Sequence, residues 1–209
     1  MRTVIVGYLH PIMNKLRTRI KEKRDQLPSE NVDQLGEAIF RNILDSNILK
    51  DKKRIAIYYS VNNEVTTVQI IKHLWTKNKE LFLPIIKSNQ LMFGPYKSGD
   101  HLNNNKFGIP EPETRTEDLI TADILDLVIV PLVAFDSNCN RLGMGGGYYD
   151  RALAFKQTSS ETCSPLLIGL AYELQKVNAL EINSWDIPMD GIISETKTYL
   201  SYPSTNMSQ

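Results

Sequence analysis

The run Arg141-Leu142-Gly143-Met144-Gly145-Gly146-Gly147-Tyr148-Tyr149-Asp150-Arg151 places four glycines within five positions, followed by two tyrosines, a carboxylate and an arginine. Residues without Cβ admit left-handed backbone, so successive N–H groups can converge on an anion. The residues after the glycines read as the opening of a helix, whose positive end adds to an anion site. The spacing is neither Gly-x-x-x-x-Gly-Lys-Ser/Thr nor Gly-x-Gly-x-x-Gly. It is a phosphate loop of another kind. Arg141 and Arg151 bracket it and offer planar guanidinium forks to phosphate oxygens. Asp150 is a hard oxygen ligand suited to Mg²⁺, with a helix-start carboxylate as the plain alternative. A second acidic stretch, Trp185-Asp186-Ile187-Pro188-Met189-Asp190, precedes the last apolar run. The two tyrosines can stack on a flat ligand or pack in the core, and the core suits one of them.

Other reactive residue types are uninformative here. The three histidines form no pair at metal-ligand spacing, and His73 falls in a helical stretch. No Gly-x-Ser-x-Gly element is present, and neither Cys139 nor Cys163 sits in a nucleophile motif. The chemistry therefore reads as positioning and electrostatics around phosphate, without a protein nucleophile.

The elements that would position these groups alternate. Residues 11–26 have helical spacing at Ile12, Leu16 and Ile20, and Ser29 is a candidate cap for a second helix running to Asn47. Short apolar runs at 54–59, 80–84, 125–130, 166–171 and 191–193 read as strands, with 91–93 as an edge strand. Asn62-Asn63-Glu64 is expected to open a helix over 65–77. This alternation predicts an α/β fold, three-layer, with a mostly parallel sheet covered by helices on both faces. Ligands of such sheets bind beyond the carboxyl ends of the strands. The glycine loop and Glu64 both follow strands, so they can converge. A carboxylate in a first helical turn also simply favours the helix dipole. Residues 87–122 lack periodicity and read as a binding loop or as a surface excursion.

Lys and Arg balance Asp and Glu at 24 each, so no global field points to nucleic acid or an anionic membrane. Two cysteines with no paired spacing fit a reducing cytoplasm. The length suits one domain, read as residues 1–200, with a flexible polar tail over 201–209.

The segment Val130-Pro131-Leu132-Val133-Ala134-Phe135-Asp136 together with Arg141 to Arg151 resembles the signature of the 5-formyltetrahydrofolate cyclo-ligase family, whose members are also called 5,10-methenyltetrahydrofolate synthetases. Leu16-Arg17 with Arg24, Tyr59-Ser60 with Glu64-Val65-Thr66-Thr67, Phe107-Gly108-Ile109-Pro110-Glu111-Pro112 and Trp185 to Asp190 resemble further family motifs in the same order. The resemblance implies an ATP- and Mg²⁺-dependent ring closure of 5-formyltetrahydrofolate by a cytoplasmic, monomeric enzyme with no nucleic-acid or membrane partner. Carried over by position, Lys15, Arg17, Arg141, Leu142, Gly143, Met144, Gly145, Gly146, Gly147, Tyr148 and Tyr149 would bind ATP. Val61, Glu64 and Met144 to Tyr148 would bind the folate, with Glu64 accepting hydrogen bonds from the pterin. Arg141, Tyr148 and Arg151 would be catalytic. Asp150 and Asp190 would hold Mg²⁺, with Asp186 as the substitute for Asp190. Many members carry lysine where this chain has Met13, which leaves Lys15 as the nearby candidate. Two competing readings are a sugar-phosphate isomerase on a similar scaffold and a non-catalytic folate or nucleotide binder.

Overall fold

A computed structural model describes residues 3–158 and 165–201, with side chains from residue 11 onward. Two helices come first, α1 (Thr3–Asp25) and α2 (Ser29–Asp45). The α1 helix does not start at Pro11 but runs through it, at the loss of one backbone hydrogen bond. Pro28 rather than Ser29 occupies the cap position of α2, and no side chain caps that end. Then follow β1 (Arg54–Ile57), α3 (Val68–Thr76), β2 (Glu80–Lys87) and β3 (Gln90–Pro95). A small hairpin is formed by β4 (Leu102–Asn104) and β5 (Pro110–Pro112). After β6 (Leu127–Pro131), a second small hairpin joins β7 (Ala134–Phe135) to β8 (Arg141–Leu142). The chain closes with α4 (Tyr148–Ala152), β9 (Leu166–Leu170), β10 (Gly191–Ile193) and β11 (Thr198–Leu200). Ser201 is the last described residue, so the rest of the expected tail lies outside the described residues, as does Cys163.

Seven strands form one sheet in the order β11-β10-β9-β6-β1-β2-β3. The five inner strands are parallel, and the two edge strands are antiparallel. The inner strands are apolar on both faces, as helix-covered parallel strands must be. Ile55, Ile57, Leu127, Ile129, Ile168 and Leu170 point to one face, where Ile39 and Ile43 of α2 and Ile70, Ile71 and Leu74 of α3 cover them. Ala56, Val128, Val130 and Leu167 point to the other, under Leu153, Phe135, Ile187 and Met189. That second layer consists of the short α4, 3₁₀ turns and loops. Among the described residues no helix is long and apolar enough to cross a membrane.

The edges are short or covered. Phe93 of β3 exchanges two backbone hydrogen bonds with Ile120, each of 2.9 Å. The three-residue β11 is fastened by Glu173, whose carboxylate accepts from Tyr199 Oη.

Candidate active site

The carboxyl ends of β1 and β6, the side of β2 and β3, and the glycine loop enclose one cavity of about 800 Å³. Its position obeys the rule for open α/β sheets. Tyr58, Tyr59, Val61 and Glu64 come from the segment after β1, Pro131 and Leu132 from the end of β6, and Met13, Asn14 and Arg17 from α1. Residues Arg141 to Arg151 all border it. Of the irregular stretch 87–122, Leu91, Asn105, Ile109 and Glu111 reach it, held by Glu111 Oε1 accepting from Ile86 N–H at 3.1 Å and Asn105 Nδ2 at 2.7 Å. Trp185 and Met144 line it while more than half exposed.

The segment 61–67 is not the start of a helix. Asn62 and Asn63 adopt positive φ, 50° and 54°, which breaks helical winding, and α3 begins only at Val68. The loop is fixed by side chains instead. Thr67 Oγ1 donates to Tyr58 O at 2.8 Å, Tyr58 Oη donates to Val65 O at 3.0 Å, and Tyr172 Oη donates to Glu64 O at 3.3 Å. Gly36 of α2 makes room for it, because a Cβ there would lie 2.5 Å from Thr66 Cγ2. Glu64 is thus not a helix-dipole carboxylate. Its Oε2 accepts from Val61 N–H at 3.2 Å.

Burial pushes the Glu64 carboxyl above its ordinary range, against the opposing effects of the Val61 N–H and Arg24. The folded state therefore holds this proton to higher pH than the unfolded chain. Its contribution to stability is present at low pH and is lost as pH rises through the raised value. The melting temperature of a Glu64→Gln variant relative to the parent is expected to rise between pH 4 and pH 7, whatever its offset. Thermal denaturation across that range checks it, and a difference that falls with rising pH would contradict it.

In the glycine loop, Gly145 and Gly147 have φ of 99° and 63°, conformations that strain residues bearing Cβ. Arg17 Nε donates to Gly143 O at 2.8 Å, and Arg151 Nη1 to Gly146 O at 2.9 Å. Two loop carbonyls are thereby engaged by arginines. Among the described residues the N–H groups from Gly143 to Gly147 donate to no protein acceptor. The following helix α4 has only five residues, so the loop's own donors outweigh any helix dipole. Arg151 also lies over the Tyr148 ring, 4.9 Å from its centroid. Tyr149 is partly buried beside the cavity, and burial first, then Glu64, raises its pKa well above the ordinary value.

Arg141 pairs with a carboxylate of its own loop. Its side chain is 4% exposed, and both Nη1 and Nη2 donate to Asp150 Oδ1 at 2.9 Å. Burial lowers its pKa, opposed by Asp150. The fork expected to grip phosphate is held on Asp150, and Arg141 still borders the cavity. Lys15 is exposed and does not border the cavity, because two residues along a helix from Arg17 it faces away. Asp190 is also placed elsewhere. It precedes β10, at the amino end of the parallel strands, and its Oδ2 accepts from Leu167 N–H at 2.7 Å and Lys156 Nζ at 3.3 Å. Asp186 borders the cavity with Asp150, although its Oδ2 accepts from Asn183 N–H at 2.7 Å. Asp190→Asn is accordingly expected to lower stability by about 1–3 kcal/mol through its lost charged hydrogen bonds while leaving kcat near the parent value. Melting and steady-state rates measured on one preparation test both halves.

A divalent cation fits this cavity on charge. Three arginines line it (Arg17, Arg141 and Arg151) against five carboxylates, Glu64, Glu111, Asp150, Glu181 and Asp186. A bare triphosphate would meet net negative charge there. Among the described residues no three His, Cys, Asp or Glu side chains cluster to hold a metal unaided. That suits Mg²⁺, which takes one or two carboxylates and completes its shell from phosphate and water.

Comparison with known proteins agrees with the architecture. The model of the 5-formyltetrahydrofolate cyclo-ligase family matches residues 12–195. The 5-formyltetrahydrofolate cyclo-ligase of Haemophilus influenzae is 35% identical over 182 residues, 86% of this chain and 95% of its own. That of Escherichia coli K12 is 30% identical over 183 residues, covering 86% and 98%. The solution structure of Aquifex aeolicus 5,10-methenyltetrahydrofolate synthetase superposes with a TM-score of 0.78 at 30% identity, covering 95% of this chain and 97% of that one.

Proposed function

Because the chain belongs to the 5-formyltetrahydrofolate cyclo-ligase family, we propose that it converts 5-formyltetrahydrofolate to 5,10-methenyltetrahydrofolate, with ATP as second substrate and Mg²⁺ as its metal. The observation that carries this reading is the cradle of unengaged N–H groups from Gly143 to Gly147 sharing one cavity with Glu64. The cradle suits the ATP phosphates, and a carboxylate suits the N–H donors of a pterin.

A formyl amide is a poor electrophile with a poor leaving oxygen. In the proposed reaction the formyl oxygen attacks the γ-phosphorus and ADP departs. N10 then attacks the activated formyl carbon, its proton is released, and phosphate leaves with the former formyl oxygen. The chain's part is to align the two substrates and meet developing phosphate charge. The glycine-loop donors, Arg17 and Arg151 meet the phosphates. Val61, Glu64 and Met144 to Tyr148 orient the folate. Arg141 holds Asp150 in place, and Asp150 with Asp186, in place of Asp190, would hold Mg²⁺. When bound, Mg²⁺ offsets the triphosphate's charge. We further propose that the enzyme works as a cytoplasmic monomer over one domain. Its balanced charge gives it no general field for nucleic acid.

The test is near-ultraviolet absorbance of the purified protein with 5-formyltetrahydrofolate and Mg²⁺, with and without ATP. The product's conjugated amidinium absorbs where the substrate does not. An ATP-dependent rise is expected, and a flat trace from folded protein that still binds ATP would move the assignment to another substrate.

A further inference from the structure

The α1 helix carries a second arginine that the site described so far does not use. Arg24, in the last turn of α1, is 2% exposed, and its Nε has no hydrogen-bond partner. No carboxylate pairs with it in contact among the described residues. A buried cation without a direct partner persists only where something else compensates it.

The helix that carries it packs onto the clamp on the Glu64 loop. The α1 helix packs against the turn Glu173–Gln175, directly after the buried Tyr172. Arg24 acts through space on Tyr172, Tyr58 and Glu64. The two tyrosine hydroxyls are spent as donors, on Glu64 O and Val65 O. Of these three groups, then, only Glu64 can carry the balancing negative charge at neutral pH. The groups acting on Glu64 or on its neighbours are Arg24, Tyr58, Tyr149 and Tyr172, with Arg141 beyond Tyr149 and Glu195 and Asp33 beyond Tyr172. Arg24 is the cation among them that acts on Glu64 itself.

We propose that Arg24 is a positioning residue for folate, the buried positive charge against which Glu64 stands negative in the cavity and accepts hydrogen bonds from the pterin. This rests on the placement of the pterin at Glu64. Loss of Arg24 would leave a half-buried carboxylate that takes up a proton more readily, and a protonated carboxyl accepts poorly from two N–H donors.

The experiment measures kcat/KM for 5-formyltetrahydrofolate between pH 5 and 8, at saturating ATP and Mg²⁺. The proteins are the parent, Arg24→Met, Arg24→Lys, Glu64→Gln and the double variant Arg24→Met/Glu64→Gln. The acid limb of Arg24→Met is expected to move about one pH unit alkaline, raising the folate KM roughly tenfold on that limb while the ATP KM stays put. Arg24→Lys is expected to restore most of the limb. The double variant is expected to bind folate no worse than Glu64→Gln alone, because the two residues act as one unit. An unmoved limb, or a loss in the double variant equal to that of Arg24→Met added to Glu64→Gln, overturns the proposal. If Glu64→Gln alone leaves the folate KM unchanged, the pterin placement itself has failed. Should Arg24→Met not fold, recovery of folding in the double variant supports the coupling, and failure of both variants to fold assigns Arg24 to structure alone.

Discussion

An Asp150→Asn variant is expected to lose turnover by roughly a thousandfold and to melt well below the parent. Both losses follow from one geometry. Asp150 Oδ1 takes two hydrogen bonds from Arg141 and a third, of 3.3 Å, from Ile187 N–H. The Arg141 side chain is 4% exposed and Asp150 is 22% exposed, so removing the negative charge leaves a cation in the interior without its partner. Breaking such a pair from one side costs about 3 kcal/mol. Asp150 also borders the cavity, where it is proposed to hold Mg²⁺. From the sequence alone, this substitution would be expected to spare the fold. The ion pair changes that expectation, and the two measurements separate its halves. A Mg²⁺ titration of rate reports the metal role, and a thermal melt reports the pair. Parent-like turnover from a folded Asp150→Asn protein would end the metal assignment, whereas a parent-like melt would deny the structural one.

Arg17→Ala is expected to raise the KM for ATP by about a hundredfold with little change in melting temperature or in the folate KM. Arg17 is half-exposed on α1 and anchors Gly143 O through Nε, while Nη1 donates to Asn14 Oδ1 at 2.8 Å. Its guanidinium carbon would lie 3.4 Å from a Cβ on Gly145. It therefore holds the loop open and keeps a cation beside it. Arg17→Lys is expected to recover only part of the loss, since an ammonium lacks the planar fork that spans both tasks. Separate KM values for the two substrates decide the matter. A folate KM that rises as much as the ATP KM would mean that Arg17 shapes the whole cavity and not its phosphate end.

The inner strands were legible because burial on both faces leaves a bare apolar run, as in Leu127 to Val130 and Leu166 to Leu170. The edge strand β11 was not, since Thr198-Tyr199-Leu200 carries no such run and owes its place to pairing with β10 and to Glu173. The helix expected from Asn62 fails on backbone angle. Nothing in Asn-Asn-Glu distinguishes a cap from two left-handed residues until the tyrosines that clamp the loop are in place. Tyr172 lies 108 positions away in sequence from the Glu64 carbonyl that it holds. The glycine run marked its own loop, because clustered glycines signal backbone that must approach a ligand. Asp186 and Asp190 were indistinguishable in sequence. Only the register of β10 against β9, with Gly191 beside Ile168, puts Asp190 at the far end of the sheet. Arg24 stood out in sequence only within a motif of the first helix, and its burial depends on how α1 docks on the turn after β9.

Both margins of the sheet offer little to the backbone pairing by which sheets grow from one chain into another. On one side Ile120 occupies donor and acceptor of Phe93 in the edge strand β3. On the other, β11 is three residues long. A sheet of seven strands with five apolar inner ones is the kind of surface that would template fibre growth if its rims were long and bare. Here the stretch 87–122, which blunts one rim through Ile120, also walls the cavity through Asn105, Ile109 and Glu111. Protection against strand-by-strand association and the shape of the cavity are therefore carried by the same stretch of chain, and a change that loosens it would be felt as aggregation as well as lost binding.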